Sequence, residues 1–406
     1  MKLPLEGLKV LDLTRLLPGP LLTMMLGDYG AEVIKIEDPK IGDYVRWRPP
    51  YIQNENGNYK MNYLFLYLNR NKKSLTLDLK HEKGLEIFYK LVENSDIIVE
   101  SFRPDVKNRL KIDYETVKKI NDKIIYASLT GFGQTGPYKN KPGHDINYIA
   151  LTGILDLNGK KGDKSVIPPV QLGDICAGAY IGFSSILLAL IAREKYGIGQ
   201  FIDISIYDGL ISMLPNLFNE FLITKEVPNK ENKRLLGLLP WYNVYKTKDG
   251  KEIAIGALEA KFWKNFCEAI NRPDLIDSQN ITIEEYDELK IELQKIFMKK
   301  NRDEWIKLFE NVDTCISPVL NLEEILVDKH FKERNLILNY NHEVLGNITQ
   351  IKPIFNLSET PGSIKIPAPE FGQHNIQILQ QLGYSQIEIE QFIKDNIIGT
   401  YERLKK

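Results

Sequence analysis

Cysteine is scarce and unpatterned in this chain. Cys176, Cys267 and Cys315 stand far apart and make no CxxC or Cys/His spacing, which excludes a disulfide framework and the common zinc sites and suits a reducing compartment. No sign of charge is in excess either. Lys and Arg total 53 against 54 Asp and Glu, a formal charge of -1, so there is no global attraction to nucleic acid and any anionic ligand must be met by local cations. Low-complexity tracts are few and no internal repeat is found. With 43% hydrophobic and 26% charged residues, the disordered and collagen-like classes are excluded. The start, Met1-Lys2-Leu3-Pro4-Leu5-Glu6, lacks the apolar stretch of a signal peptide, and Arg403-Leu404-Lys405-Lys406 is no peroxisomal address; the cytoplasm is the expected location. A single long uncharged run, residues 175–192, carries Gly178 and Gly182 at GxxxG spacing. It also holds Ser184 and Ser185, no second such run exists, and mean hydropathy is negative. The run therefore reads as a buried central helix rather than a membrane span, its small residues letting another backbone come close.

At 406 residues the length suits two to three domains. A strand over 9–13, a loop, a short helix opened by Pro20, a turn at 27–30 and a strand over 32–36 make a βαβ beginning. A second cycle follows: a strand at 74–79, an amphipathic helix near 81–94, a strand at 96–100, a helix near 114–121 and a strand at 124–128. After the apolar run come a turn at 196–200 and a strand at 201–206. This alternation predicts an α/β fold with a mostly parallel, helix-covered sheet. Composition turns polar near 224–232, which predicts a linker. A smaller unit then begins, with strands at 242–246 and 252–255 and helices opened by Thr282-Ile283-Glu284-Glu285 and Asn301-Arg302-Asp303-Glu304.

Gly143-His144-Asp145-Ile146-Asn147-Tyr148, and Gly173-Asp174 at the mouth of the uncharged run, bear the chemistry. An imidazole and a carboxylate, each set before an apolar segment that shields it, are the materials of a two-base proton-transfer site. Singly, each has a plain alternative: His144 as a structural histidine, Asp174 as a helix N-cap, Glu259 as a helix-start carboxylate. Gly131-Phe132-Gly133-Gln134-Thr135-Gly136 is a literal GxGxxG after a strand, but it runs into the Pro137 to Pro142 stretch instead of a helix. The first βα turn also lacks the motif, which argues against nicotinamide dinucleotide binding.

Over nearly its whole length the chain resembles the class III CoA-transferase family, and within it most closely the α-methylacyl-CoA racemases. The likeness is carried by Leu17-Pro18-Gly19-Pro20, Leu26-Gly27-Asp28-Tyr29-Gly30-Ala31-Glu32-Val33, Thr130-Gly131-Phe132-Gly133-Gln134-Thr135-Gly136-Pro137, the run 143–153, and Gly197-Ile198-Gly199-Gln200. Gly-His-Asp-Ile-Asn-Tyr is the specific string. The resemblance puts the catalytic histidine on His144, the catalytic aspartate on Asp174 and the glutamate that supports the histidine on Glu259. In the transferases the residue matching Asp174 is instead the nucleophile. The resemblance further implies an intertwined homodimer whose active site takes Glu259 from the other subunit; no tightly bound cofactor or metal is needed for the chemistry, and neither nucleic acid nor a membrane is an expected partner. A Rossmann-like large domain would start with residues 1–205, continue through a linker at 206–232 to a small domain at 233–320, and be completed by 321–406. Coenzyme A, as part of an acyl-CoA substrate, is expected to meet Asn69, Arg70, Asn71 and Lys72, then Phe102, Arg103 and Arg109, with Gly143, Asp145 and Tyr148 near its reactive end. Two departures stand out: Asp38 where the racemases usually have an arginine after the second strand, and Gly237-Leu238-Leu239-Pro240 where they usually read Gly-Gly-Ala-Pro. The implied reaction is racemisation of 2-methyl-branched acyl-CoA thioesters by 1,1-proton transfer through an enolate, with backbone amides near Asp145 stabilising its oxygen. The alternatives are CoA transfer through an Asp174 anhydride and an acyl-CoA binding protein without turnover.

Overall fold

Six short strands assemble into one sheet: β1 Lys9–Leu13, β2 Glu32–Glu37, β3 Lys72–Thr76, β4 Ile97–Glu100, β5 Ile125–Thr130 and β6 Gln200–Ser205. The structure is a computed structural model that describes residues 2–57 and 59–400; Met1 and the Arg403 to Lys406 tail lie outside the described residues. Strand order is β3-β2-β1-β4-β5-β6, and every neighbouring pair is parallel. A parallel sheet covered on both faces buries successive side chains, which is why β4 reads Ile-Ile-Val-Glu with all four positions buried instead of alternating. The chain is thus of mixed α/β class with a large parallel sheet. From β1 it winds one way to β2 and β3, then returns to the other side of β1 for β4, β5 and β6. That reversal opens a crevice beyond the carboxyl ends of β1 and β4.

The helices that matter for the site are α1 Pro18–Asp28, α2 Glu82–Glu93, α3 Pro104–Arg109, α4 Asp145–Leu151, a π-helical stretch Leu172–Tyr180 that runs into α5 Ile181–Tyr196, and α6 Ile206–Ser212. Gly178 and Gly182 do admit another element. A Cβ on Gly178 would sit 3.0 Å from Pro18 Cβ, and one on Gly182 2.5 Å from Leu22 Cδ1, so the GxxxG spacing seats this helix against α1. Leu172–Tyr196 is long and apolar enough to cross a membrane by length and composition. It is not buried all round as expected. One face packs on α1, β5 and β6, while Leu188 and Ile191 on the other are exposed.

Leu11, Ile34, Leu75, Phe88, Ile98 and Tyr126 share a core with Ile378, Leu379, Ile389 and Phe392 from the helices Asn375–Gln381 and Gln386–Lys394. The same late segment covers the edge strand. Thr76 N–H donates to Asn375 Oδ1 at 2.9 Å, Thr76 Oγ1 to the Gly399 carbonyl at 3.0 Å, and Asp78 N–H to the Ile397 carbonyl at 2.8 Å. An open edge that could pair with another chain is closed in this way.

Contacts divide the chain into two compact units. One comprises the chain up to Thr152, Pro168–Pro215 and the part from Asn335 onward; the other comprises Gly153–Ile167 and Asn216–Arg334. These boundaries differ from those expected. The stretch 206–232 is no simple linker, since it contains α6 and the helix Pro215–Thr224. Residues 153–167, expected in the large domain, belong to the second unit, because that assignment depends on what they touch and not on their composition. In the second unit a three-stranded antiparallel sheet (Ile316–Pro318, Glu252–Gly256, Tyr242–Lys246) joins helices Ala260–Ala269, Tyr286–Phe297 and Arg302–Phe309 around Trp263, Phe266, Phe297 and Trp305. The capping boxes are present: Thr282 N–H donates to Glu285 Oε2 at 2.9 Å and Asn301 N–H to Glu304 Oε2 at 2.8 Å.

Candidate active site

A cavity of about 800 Å³ opens in the first unit beyond the carboxyl ends of the parallel strands. The segment after β1 contributes Arg15, that after β2 Asp38, after β3 Lys80, after β4 Arg103, and after β5 Phe132. His144, Tyr148 and Asp174 line the same space. Its volume suits a cofactor-sized ligand.

The α4 start delivers His144. The histidine is the N-cap residue with extended backbone, its N–H donating to Asn147 Oδ1 at 3.0 Å, and its side chain is exposed to the cavity. Tyr148 is buried one turn on. Its hydroxyl donates to the Gly143 carbonyl at 2.7 Å and its ring meets Phe132 edge-on at 5.3 Å. This ring explains two glycines. A Cβ on Gly131 would lie 2.4 Å from Tyr148 Cε1 and one on Gly143 2.6 Å from the same atom. The GxGxxG string therefore serves close packing and turns, and no helix follows it before α4.

Asp174 sits in the first turn of the π-helical stretch, where Gln171 is the N-cap residue. Its carboxylate accepts no hydrogen bond from the described residues, so the capping explanation does not apply. It is half-buried, its N–H donates to Asp145 Oδ1 at 3.0 Å, and burial, followed by the Asp145 charge, pushes its carboxyl up to about 6. Burial, then Asp174 and Asp145, pushes the Tyr148 phenol up to about 12. An uncommitted carboxylate with such a value is a base held near neutrality.

Asn69, Arg70, Asn71 and Lys72 were expected to hold phosphate, and the structure corrects this. All four are buried and none lines the cavity. Arg70 Nη2 is 2.7 Å from Asp28 Oδ2 and Lys72 Nζ 3.0 Å from Asp12 Oδ2. Asn71 donates to Asp28 Oδ1 at 2.8 Å, and Asn69 Oδ1 accepts from Lys72 Nζ at 3.1 Å. These groups lie at the amino-terminal end of β3, the opposite edge of the sheet from the crevice. Phe102, Arg103 and Arg109, by contrast, line the cavity, as does Gly143. Asp145 is not among the lining residues; its carboxylate is turned to the Asp174 backbone.

Four cations at the cavity escaped the sequence reading: Arg15, Lys80, Lys139 and Lys141. Arg15 and Lys80 follow β1 and β3 within a few residues, so strand direction would have flagged them. With Arg103 and Arg109 they make six cationic groups, none in an ion pair among the described residues. Arg15 stands over the Tyr44 ring at 5.2 Å and Lys141 over Tyr138 at 4.6 Å. Arg15 precedes Leu16, whose φ of 71° is unusual for leucine; Leu16 N–H points at the Asp43 carboxylate, itself 3.1 Å from the buried Lys35 ammonium. Asp38 faces the same space, its carboxylate accepting the N–H groups of Lys40 and Ile41. Glu259 belongs to the second unit. It is the N-cap residue of Ala260–Ala269, exposed, with no side-chain capping bond.

A family model described as CoA-transferase family III matches residues 5–375. Succinyl-CoA:glutarate CoA-transferase of Homo sapiens is 32% identical over 406 residues, covering 98% of this chain and 91% of its own length. Alpha-methylacyl-CoA racemase of Homo sapiens is 32% identical over 400 residues, covering 97% of each chain. Among solved structures, a CAIB/BAIF family protein from Brucella suis superposes with a TM-score of 0.81 at 28% identity, over 94% of this chain and 100% of that one. A parallel sheet with the crevice at its switch point, a match across most of the chain and relatives of this identity agree: the chain belongs to CoA-transferase family III.

Proposed function

We propose that the protein is a racemase of 2-methyl-branched acyl-CoA thioesters. The observation that carries this is that His144 and Asp174 line one cavity, the Asp174 carboxylate accepting no hydrogen bond among the described residues and being held up to about 6. One of the two removes the proton on Cα, the thioester carbonyl takes the electron pair as an enolate, and the other returns a proton to the opposite face. Nothing is oxidised or reduced, and no tightly bound cofactor is required; coenzyme A arrives as part of the substrate. Arg103, Arg109 and Phe102 are assigned to its phosphates and adenine. Glu259 of a second copy is proposed to orient His144 in a homodimer, and the exposed Leu188 and Ile191 support such an assembly. Light scattering that finds a monomer at assay concentration would remove that part. The three separated free thiols suit the cytoplasm.

Relatives at the same identity carry racemase and CoA-transferase names, and this favours one second reading: Asp174 as the nucleophile that forms an anhydride and releases CoA thiolate. Isotope separates the two. In heavy water, with one chiral 2-methylacyl-CoA and no acceptor acid, a racemase places deuterium at Cα with loss of optical purity, and His144→Ala stops this in at least one direction. Acceptor-dependent CoA exchange with the α-proton retained, and a hydroxamate trapped at Asp174, would establish the transferase instead.

A further inference from the structure

We infer that Asp145 is the positioning residue of this site: one side chain ties the start of α4, which carries His144, to the π-helical turn that carries Asp174, and keeps a negative charge beside the Asp174 carboxylate. The inference rests on the role proposed for Asp174 and deepens it. Asp145 Oδ1 accepts the Asp174 N–H at 3.0 Å. A Cβ on Gly173 would sit 3.0 Å from that same oxygen and 3.1 Å from Ile206 Cγ2, so a side chain at 173 would crowd the reach between the two segments. Asp145 does not line the cavity. It therefore acts through Asp174 and not on the substrate.

Several titratable groups lie on the elements packed against Leu172–Tyr180. α4 brings His144, Asp145 and Tyr148; α6 brings Tyr207 and Asp208; α1 brings Asp28, which is paired with Arg70; β6 brings Asp203; and the last turn of α5 brings Arg193, Glu194, Lys195 and Tyr196. Cys176 and Tyr180 lie on the stretch itself. Tyr148 spends its proton on the Gly143 carbonyl. After burial, Asp145 is the group that acts on Asp174, and a like charge disfavours ionisation. The arrangement makes Asp174 a stronger base than a solvated aspartate without protonating it at neutral pH.

Asp145→Asn keeps an oxygen that can accept the Asp174 N–H and removes the charge, while Asp145→Ala removes both. For Asp145→Asn the acid limb of the Cα exchange rate is expected to move down by about one pH unit, with KM within a few-fold. For Asp145→Ala kcat is expected to fall about a hundredfold, the cost of a misplaced base. An unmoved acid limb in Asp145→Asn overturns the inference, as does a wild-type kcat in Asp145→Ala. Should Asp145→Ala fail to fold, Asp145→Asn decides. A second readout needs no turnover: carbon-13 NMR titration of the Asp174 carboxyl, assigned by its absence in Asp174→Asn, should show the same downward shift in Asp145→Asn. Exchange that survives in Asp174→Asn would remove the proposed function and leave the NMR shift standing. A wild-type titration of Asp174 in Asp145→Asn would remove this inference and leave the role of Asp174 intact.

Discussion

Arg70 and Lys72 at one edge of the sheet, and Arg103 and Arg109 at the other, are the same side-chain types in similarly basic stretches, yet they do opposite work. The first pair is buried against Asp28 and Asp12, and the second faces a cavity with no ion-pair partner among the described residues. Strand direction makes the difference. Residues just before a parallel strand lie at its amino edge, inside the packing of the preceding βα units; residues just after it reach the crevice where ligands bind. A basic stretch is thus a ligand candidate according to which end of the strand it follows. Glu37 and Arg46 are an instructive intermediate: Glu37 is at the cavity wall yet is bonded to Arg46 at 2.7 Å.

The sharpest way to break this comparison is to truncate the buried pair. Arg70→Ala and Lys72→Ala each leave a buried carboxylate without its paired cation and should lower unfolding free energy by about 3–5 kcal/mol in urea titrations; a loss under 1 kcal/mol would mean that these cations are not committed to the fold. Next in size is a pH effect at Glu37. Burial, the largest single influence, would raise its pKa, but Arg46 together with the Lys35 charge and the Asp43 N–H outweighs burial and brings it from 4.5 to about 2. A folded value below the unfolded one means that the stability is fully present above 4.5 and is lost as pH falls toward 2, about 3 kcal/mol in all. Glu37→Gln should flatten that acid limb of the stability profile, and an identical limb in the variant would contradict the assignment. Smallest is the effect at the open edge. Arg103→Ala and Arg109→Ala should leave stability within about 0.5 kcal/mol and weaken CoA binding by about 1–2 kcal/mol each in calorimetry, with the loss shrinking in high salt. Full affinity in both variants would take the phosphates elsewhere.

Much of the first unit could be read from sequence because its signals are local: apolar runs for buried parallel strands, Pro18 and Pro20 at the start of α1, and the Thr282 and Asn301 boxes that open helices of the second unit. His144 and Asp174 were found because their strings are specific, and their meeting in one cavity is a product of the fold. Three things needed coordinates. The side on which Arg70 and Lys72 lie depends on strand direction combined with the packing of α1. Residues 153–167 join the second unit through contacts invisible to composition. The hold of Asp145 on Asp174 spans 29 positions, and nothing in either string announces it.

The late segment that seals β3 has a consequence in time. Thr76 and the Gly399 carbonyl it binds are 323 positions apart, and at a synthesis rate of about 5–20 residues per second they are made roughly 15 to 65 s apart. For most of that interval, until the segment from Asn375 is made, the outer edge of β3 on a nascent chain has no partner from its own sequence, while β2 beside it is already complete. The native sheet edge is therefore quiet, but its precursor is a template for wrong pairing. Production of this protein should accordingly depend on chaperone supply and growth temperature far more than its finished architecture suggests.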